Sequence, residues 1–151
     1  MPFLAFKVLH VLAAIVAVGA NVSYSFWLGE AGRDRERLRF TIQGVRRLDR
    51  RLANPGYVVV LLSGLGMVAT GAYRFGAPGT GWLSLALGLY IATAILGITI
   101  FAPAIRRQLA EAERDPTSAA YAAAASRTRA LGLVTTAIVI LIVVLMIAKP
   151  F

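Results

Sequence analysis

His10 is the single histidine of the chain, and it stands inside a run, KVLHVLAAIVAVGANVSYSFWL at residues 7–28, that is otherwise apolar enough to cross a membrane. Imidazole titrates near neutral pH and is the commonest metal ligand. Ionisable groups within a membrane segment are costly, face the protein interior and mark functional sites by default. Ala14, Ala17, Asn21 and Tyr24 follow His10 at i+4, i+7, i+11 and i+14, so they share its helical face. Such a stripe of small and polar side chains suits a close helix–helix seam.

The other apolar stretches carry polar or soft groups of their own. They are Ser63, Gly64, Met67, Thr70 and Gly71, then Tyr90, Thr93 and Gly97, then Gly132, Thr135, Thr136 and Met146. Imidazole and thioether together suit a haem iron or a soft metal such as copper. His10 is therefore the candidate metal ligand. Met67 or Met146 is the candidate second ligand, with Tyr90 and Asn21 as polar lining of the same cofactor site. His10 has an alternative role as a neutral imidazole hydrogen-bonded to Tyr90, a threonine or a backbone carbonyl. Small residues, threonines and methionines are also ordinary packing material in helix seams.

Few other chemistries find their residues. No Asp or Glu stands inside an apolar block, which argues against a carboxylate proton relay. His10 lacks an acidic partner and a serine at catalytic spacing, so a hydrolytic triad is not expected. No glycine-rich phosphate loop is present. The absence of cysteine removes disulfides, thiolate metal sites and cysteine nucleophiles.

The elements that must hold His10 follow from composition. Apolar residues make up 58% of the chain and charged ones 15%, too few to coat a soluble domain of 151 residues. The apolar residues collect into four blocks near 3–28, 56–73, 82–105 and 130–148, each long enough to span a bilayer as a helix. None alternates as a membrane β-strand would. The expected fold is all-α, a single integral membrane domain over 1–151 built as a four-transmembrane-helix bundle. The first block runs on to Leu28, longer than a signal-peptide core, so it is expected to remain as a span.

Charge sets the expected orientation. Thirteen of the sixteen basic residues fall in the loops at 30–54 and 106–129, leaving Lys7, Arg74 and Lys149 for the other side. The positive-inside rule places both loops in the cytoplasm and both termini outside. The arginines from 33 to 51 (Arg33, Arg35, Arg37, Arg39, Arg46, Arg47, Arg50 and Arg51) are expected to meet anionic lipid. No nucleic acid is expected, because aromatic interleaving and a binding module are missing.

Within the first loop, Leu38, Ile42, Val45, Leu48 and Leu52 recur at helical spacing among arginines, which predicts an amphipathic interfacial helix between spans one and two. Asn54 followed by Pro55 predicts a fresh helix start for span two. The third helix is expected to run on past Pro103 through Arg106–Glu113. Asp115-Pro116 then turns the chain, and an alanine-rich stretch from Ser118 leads into span four. His10 would lie about 10 Å below the outer surface.

KVLHVLAAIVAVGA in span one, RRLDRRLANPGYVVVLLSGLGM leading into span two, GWLSLALGLYIA in span three and FAPAIRRQ at its end resemble, in that order, a widespread family of predicted bacterial four-span integral membrane proteins. More distantly, the histidine of span one and the RL…L-x-N-P-G lead into span two resemble the HemJ-type protoporphyrinogen oxidases and the CopD copper-resistance membrane proteins. In the HemJ-type family the matching histidine is a haem ligand, so that resemblance implies a b-type haem on His10. Three functions are therefore expected as alternatives: a haem-binding or redox-associated protein, a non-catalytic accessory or homo-oligomeric subunit, and a carrier for copper or a small apolar molecule such as quinone.

Overall fold

The computed structural model describes residues 2–32 and 34–151, so Arg33, one of the arginines expected to meet lipid, lies outside the described residues. Four helices long and apolar enough to cross a membrane account for the fold: α1 (Pro2–Glu30), α2 (Arg35–Ala69), α3 (Gly81–Arg114) and α4 (Ala119–Ala148). There is no strand among the described residues. The chain is an all-α four-span membrane bundle. At 1.5 Å per residue each helix outruns a bilayer core of about 30 Å, so each projects beyond it.

The helices start and stop where local chemistry directs. The Asp34 carboxylate accepts from the Arg37 N–H at 2.8 Å and caps α2. The Ser118 hydroxyl accepts from the Tyr121 N–H at 3.1 Å and caps α4. Asp115 folds the link between α3 and α4 by accepting from the N–H and the hydroxyl of Thr117.

The expected helix start at Asn54 is not there. Asn54 has helical backbone angles, and its N–H bonds to the carbonyl of Asp49 across a wide i→i+5 turn at Asp49–Ala53. Its side-chain amide donates to Asp49 Oδ2 at 3.2 Å instead of capping anything. Proline lacks an N–H and crowds the carbonyl four residues back, so a helix can carry one in its interior only by adjusting locally. Here the wide turn before Pro55 makes that adjustment. A second wide turn, Gly97–Phe101, lies just before Pro103 and keeps α3 continuous in the same way.

Packing divides the bundle into two pairs. In the first, α1 and α2 meet along small residues: Ala17 and Ala53 are fully buried, and a Cβ placed on Gly56 would sit 3.1 Å from the Cβ of Ala17. In the second, α3 and α4 meet through Trp82, Leu83, Ala86 and Leu145, with Val68 and Tyr73 reaching across from the chain after α2 and its last turns. At the arginine-rich end Leu38 and Ile42 are buried against Ala31, Ala112 and Tyr121. The predicted amphipathic stripe is thus real, and protein covers it. Leu48 and Leu52 leave the stripe and are about 40% exposed; Leu52 lies in the wide turn at Asp49–Ala53, which changes which side of the helix faces inward. Arg35 donates to the carbonyls of Glu113 and Arg114, which ties the start of α2 to the negative end of the α3 dipole. At the opposite end, the Lys149 ammonium donates to Tyr73 Oη at 2.6 Å and lies 4.8 Å from that ring's centre and 5.5 Å from that of Trp82.

Candidate functional site around His10

His10 projects from α1 onto α2. Its Nδ1 lies 2.8 Å from the carbonyl oxygen of Val60 and 3.3 Å from Ser63 Oγ. A carbonyl can only accept, so Nδ1 carries the proton. Ser63 donates its own hydroxyl hydrogen back to the Val59 carbonyl at 2.5 Å. The imidazole can approach the α2 backbone because Gly64 has no side chain. A Cβ there would stand 3.3 Å from Cε1 and 3.4 Å from Nδ1 of His10.

With Nδ1 committed, the lone pair of the neutral ring sits on Nε2. That nitrogen has no hydrogen-bond partner among the described residues, and the imidazole is only half-buried. An imidazole oriented by a carbonyl through one nitrogen and open at the other is in the usual posture of a ligand. Among the described residues no three His, Cys, Asp or Glu side chains come together as a metal site. One protein donor is a thin set for a bare copper ion, whereas a porphyrin brings four nitrogens of its own and needs only axial ligands.

The other candidates are placed as follows. Asn21 donates its side-chain amide to the Tyr57 hydroxyl, and the Tyr90 hydroxyl donates to the Tyr57 carbonyl at 2.8 Å. Tyr57 therefore joins α1, α2 and α3, one helical turn from the carbonyl that His10 holds. Met67 is half-buried and, at seven residues from Val60, lies on the same face of α2. Met146 packs with Trp82, Leu83 and Leu145 in the other helix pair, a different cluster from that of His10. Tyr24 is buried among Ala20, Val45, Ala53 and Tyr57, with its hydroxyl unpartnered among the described residues.

Sequence reasoning missed Tyr57 and Asp49. A tyrosine two residues after a proline at a span's end reads as an interfacial aromatic, and nothing in its spacing announces a hub. Asp49 is half-buried beside the wide turn. Burial pushes its carboxyl pKa up, and the hydrogen bond from Asn54 offsets part of that. A carboxyl raised on folding costs stability once it ionises, with no cost below the unfolded value of about 4 and the full cost above the folded value. Asp49→Asn should therefore raise the melting temperature in detergent at pH 7, and the gain should vanish below about pH 4. A gain that persists unchanged at low pH would contradict this origin.

No curated protein and no solved structure matches the chain. The sequence profile of one family matches residues 4–150. Four membrane-length helices agree with that family's description, and the chain belongs to it: the predicted integral membrane proteins of DUF2269.

Proposed function

We propose that the protein binds a b-type haem within the membrane, which His10 would hold through Nε2. The observation that carries this reading is the hydrogen bond from Nδ1 to the Val60 carbonyl, which fixes the tautomer and leaves Nε2 free to donate. A haem held there would supply one-electron chemistry at that depth in the bilayer. The chain's own part is to orient the imidazole through Val60, to give it room through Gly64, and to hold α3 against α2 through Tyr57 and Tyr90. Met67 is the better placed of the two methionines to help hold the group, because it shares the face of α2 that His10 approaches.

The reading stops at haem binding. HemJ-type proteins carry a lysine early in span three, where this chain has Trp82-Leu83-Ser84-Leu85-Ala86, and Trp82, Leu83 and Ala86 are buried in packing. The test is an absorption spectrum of protein purified in mild detergent, oxidised and reduced, as isolated and after haem is supplied. A Soret band is expected. Its absence after reconstitution ends this reading.

A second reading, as an accessory or homo-oligomeric subunit, draws on a different face. Ser84, Gly88 and Ala92 are exposed at i, i+4 and i+8 on α3, and nothing lies within 4 Å of a Cβ built on Gly88. Small residues at that spacing let another membrane helix approach closely. On this reading the protein purifies with a stoichiometric second chain, and Gly88→Leu releases it. A monomer that is unchanged by Gly88→Leu would rule it out.

A further inference from the structure

Beside the wide turn of α3, the second helix pair parts to leave a cleft of about 330 Å³, lined among others by Thr99, Ile100, Pro103, Arg107, Ala124 and Arg127. The cleft crosses the level at which the apolar blocks give way to charge. Ile100 and Pro103 belong to span three, Arg107 stands just past its end, and Arg127 stands just before span four. Arg107 lies about 10 Å along the helix axis from Ile100. One end of the cleft is therefore hydrocarbon and the other is cationic.

Both cations are without an anion among the described residues. The nearby acids of α3 are engaged elsewhere: Glu111 pairs with Arg114 at 3.6 Å, and Glu113 pairs with Arg39 at 3.8 Å. No carboxylate lines the cleft, and the Thr99 hydroxyl is spent on the Ile95 carbonyl at 2.7 Å. The ligand that complements two guanidinium groups above an apolar floor at a membrane boundary has a phosphate joined to hydrocarbon. Guanidinium matches phosphate in shape as well as charge, and basic pockets between membrane helices hold lipid headgroups.

We propose that this cleft is a binding site for one anionic phospholipid, whose phosphate Arg107 and Arg127 clasp while an acyl chain runs along Ile100 and Pro103. The site is distinct from the row of arginines on α2, none of which lines the cleft.

The experiment is native mass spectrometry of the full chain in mild detergent, with phosphatidylglycerol and phosphatidylcholine of equal chain length added together. One phosphatidylglycerol per chain should be retained in preference to phosphatidylcholine. Arg107→Gln with Arg127→Gln should weaken that retention about tenfold or more, at roughly 1 kcal/mol for each basic group. Arg106→Gln with Arg129→Gln removes the same charge from the same end but outside the cleft lining, and should leave retention within about twofold. Both cleft arginines are exposed, so folding should survive, and each single glutamine variant should show part of the loss.

Three results would overturn the proposal. Equal losses in the two double variants would make the attraction diffuse. Equal retention of phosphatidylcholine would make the cleft merely apolar. Displacement by excess inorganic phosphate would make it a site for a soluble anion.

Discussion

His10→Ala protein, purified in mild detergent and supplied with haem, is expected to show no Soret band under conditions in which the wild type shows one. The substitution removes Nε2, the nitrogen that the Val60 carbonyl leaves free. It also removes the tie between α1 and α2, but hydrogen bonds between membrane helices average about 0.6 kcal/mol. The melting temperature should therefore move little while the spectrum is lost, which separates ligand loss from unfolding. Imidazole added to the variant should restore a band, because the alanine leaves space where the ring stood. Gly64→Leu should weaken haem retention while leaving the histidine in the chain, since even a Cβ at that position stands 3.3 Å from the imidazole and a leucine would displace the ring. A His10→Ala protein that keeps the wild-type band would place the ligand elsewhere and refute the assignment.

Gly56→Leu is expected to have the largest effect on folding. The α1 backbone itself is close there: a Cβ alone would approach Ala17 Cβ to 3.1 Å and the Ala13 carbonyl oxygen to 3.5 Å, whereas at Gly66 the close neighbour is the ring of Phe6, a side chain that can turn aside. A leucine must push the two backbones apart, and the contacts of the fully buried Ala17 and Ala53 go with them. Overpacking typically costs roughly 1–3 kcal/mol, and close packing is a main force holding helices together in a bilayer. Thermal unfolding in detergent would measure the loss. Gly19→Leu is the control, because nothing lies within 4 Å of a Cβ at Gly19. Equal effects from the two substitutions would show that the seam is not the close contact described.

Much of this architecture was legible in the amino-acid sequence. The four apolar blocks became the four membrane-length helices, and the face shared by His10, Ala17, Asn21 and Tyr24 became the seam against α2. These features are periodic, and periodicity is visible in one dimension. The polar contacts were harder to read. The partner of His10 is a backbone carbonyl, and every residue has one. What selects Val60 is the missing side chain of Gly64, a steric fact that appears only when two helices meet. Asn21 and Tyr90 were both picked out as lining, yet nothing in the spacing of Tyr57 marks it as the residue that joins them. Asn54-Pro55 has the composition of a helix start. It was misread because an i→i+5 turn leaves no mark in composition and allows the proline to sit inside a continuous helix.

That same turn keeps two stretches of α2 in phase. In an unbroken α-helix Val45 and Ala53, eight residues apart, would point about 80° away from each other. A wide turn takes up one extra residue, and subtracting its rotation of about 100° brings the two within roughly 20°. Val45 and Ala53 do lie in one buried cluster with Ala20 and Tyr24 of α1. The inserted residue thus acts as a phase corrector between the basic segment and the membrane segment, and through it the position of Leu38 on the helix is set by the same angular register that aims Val60 at His10.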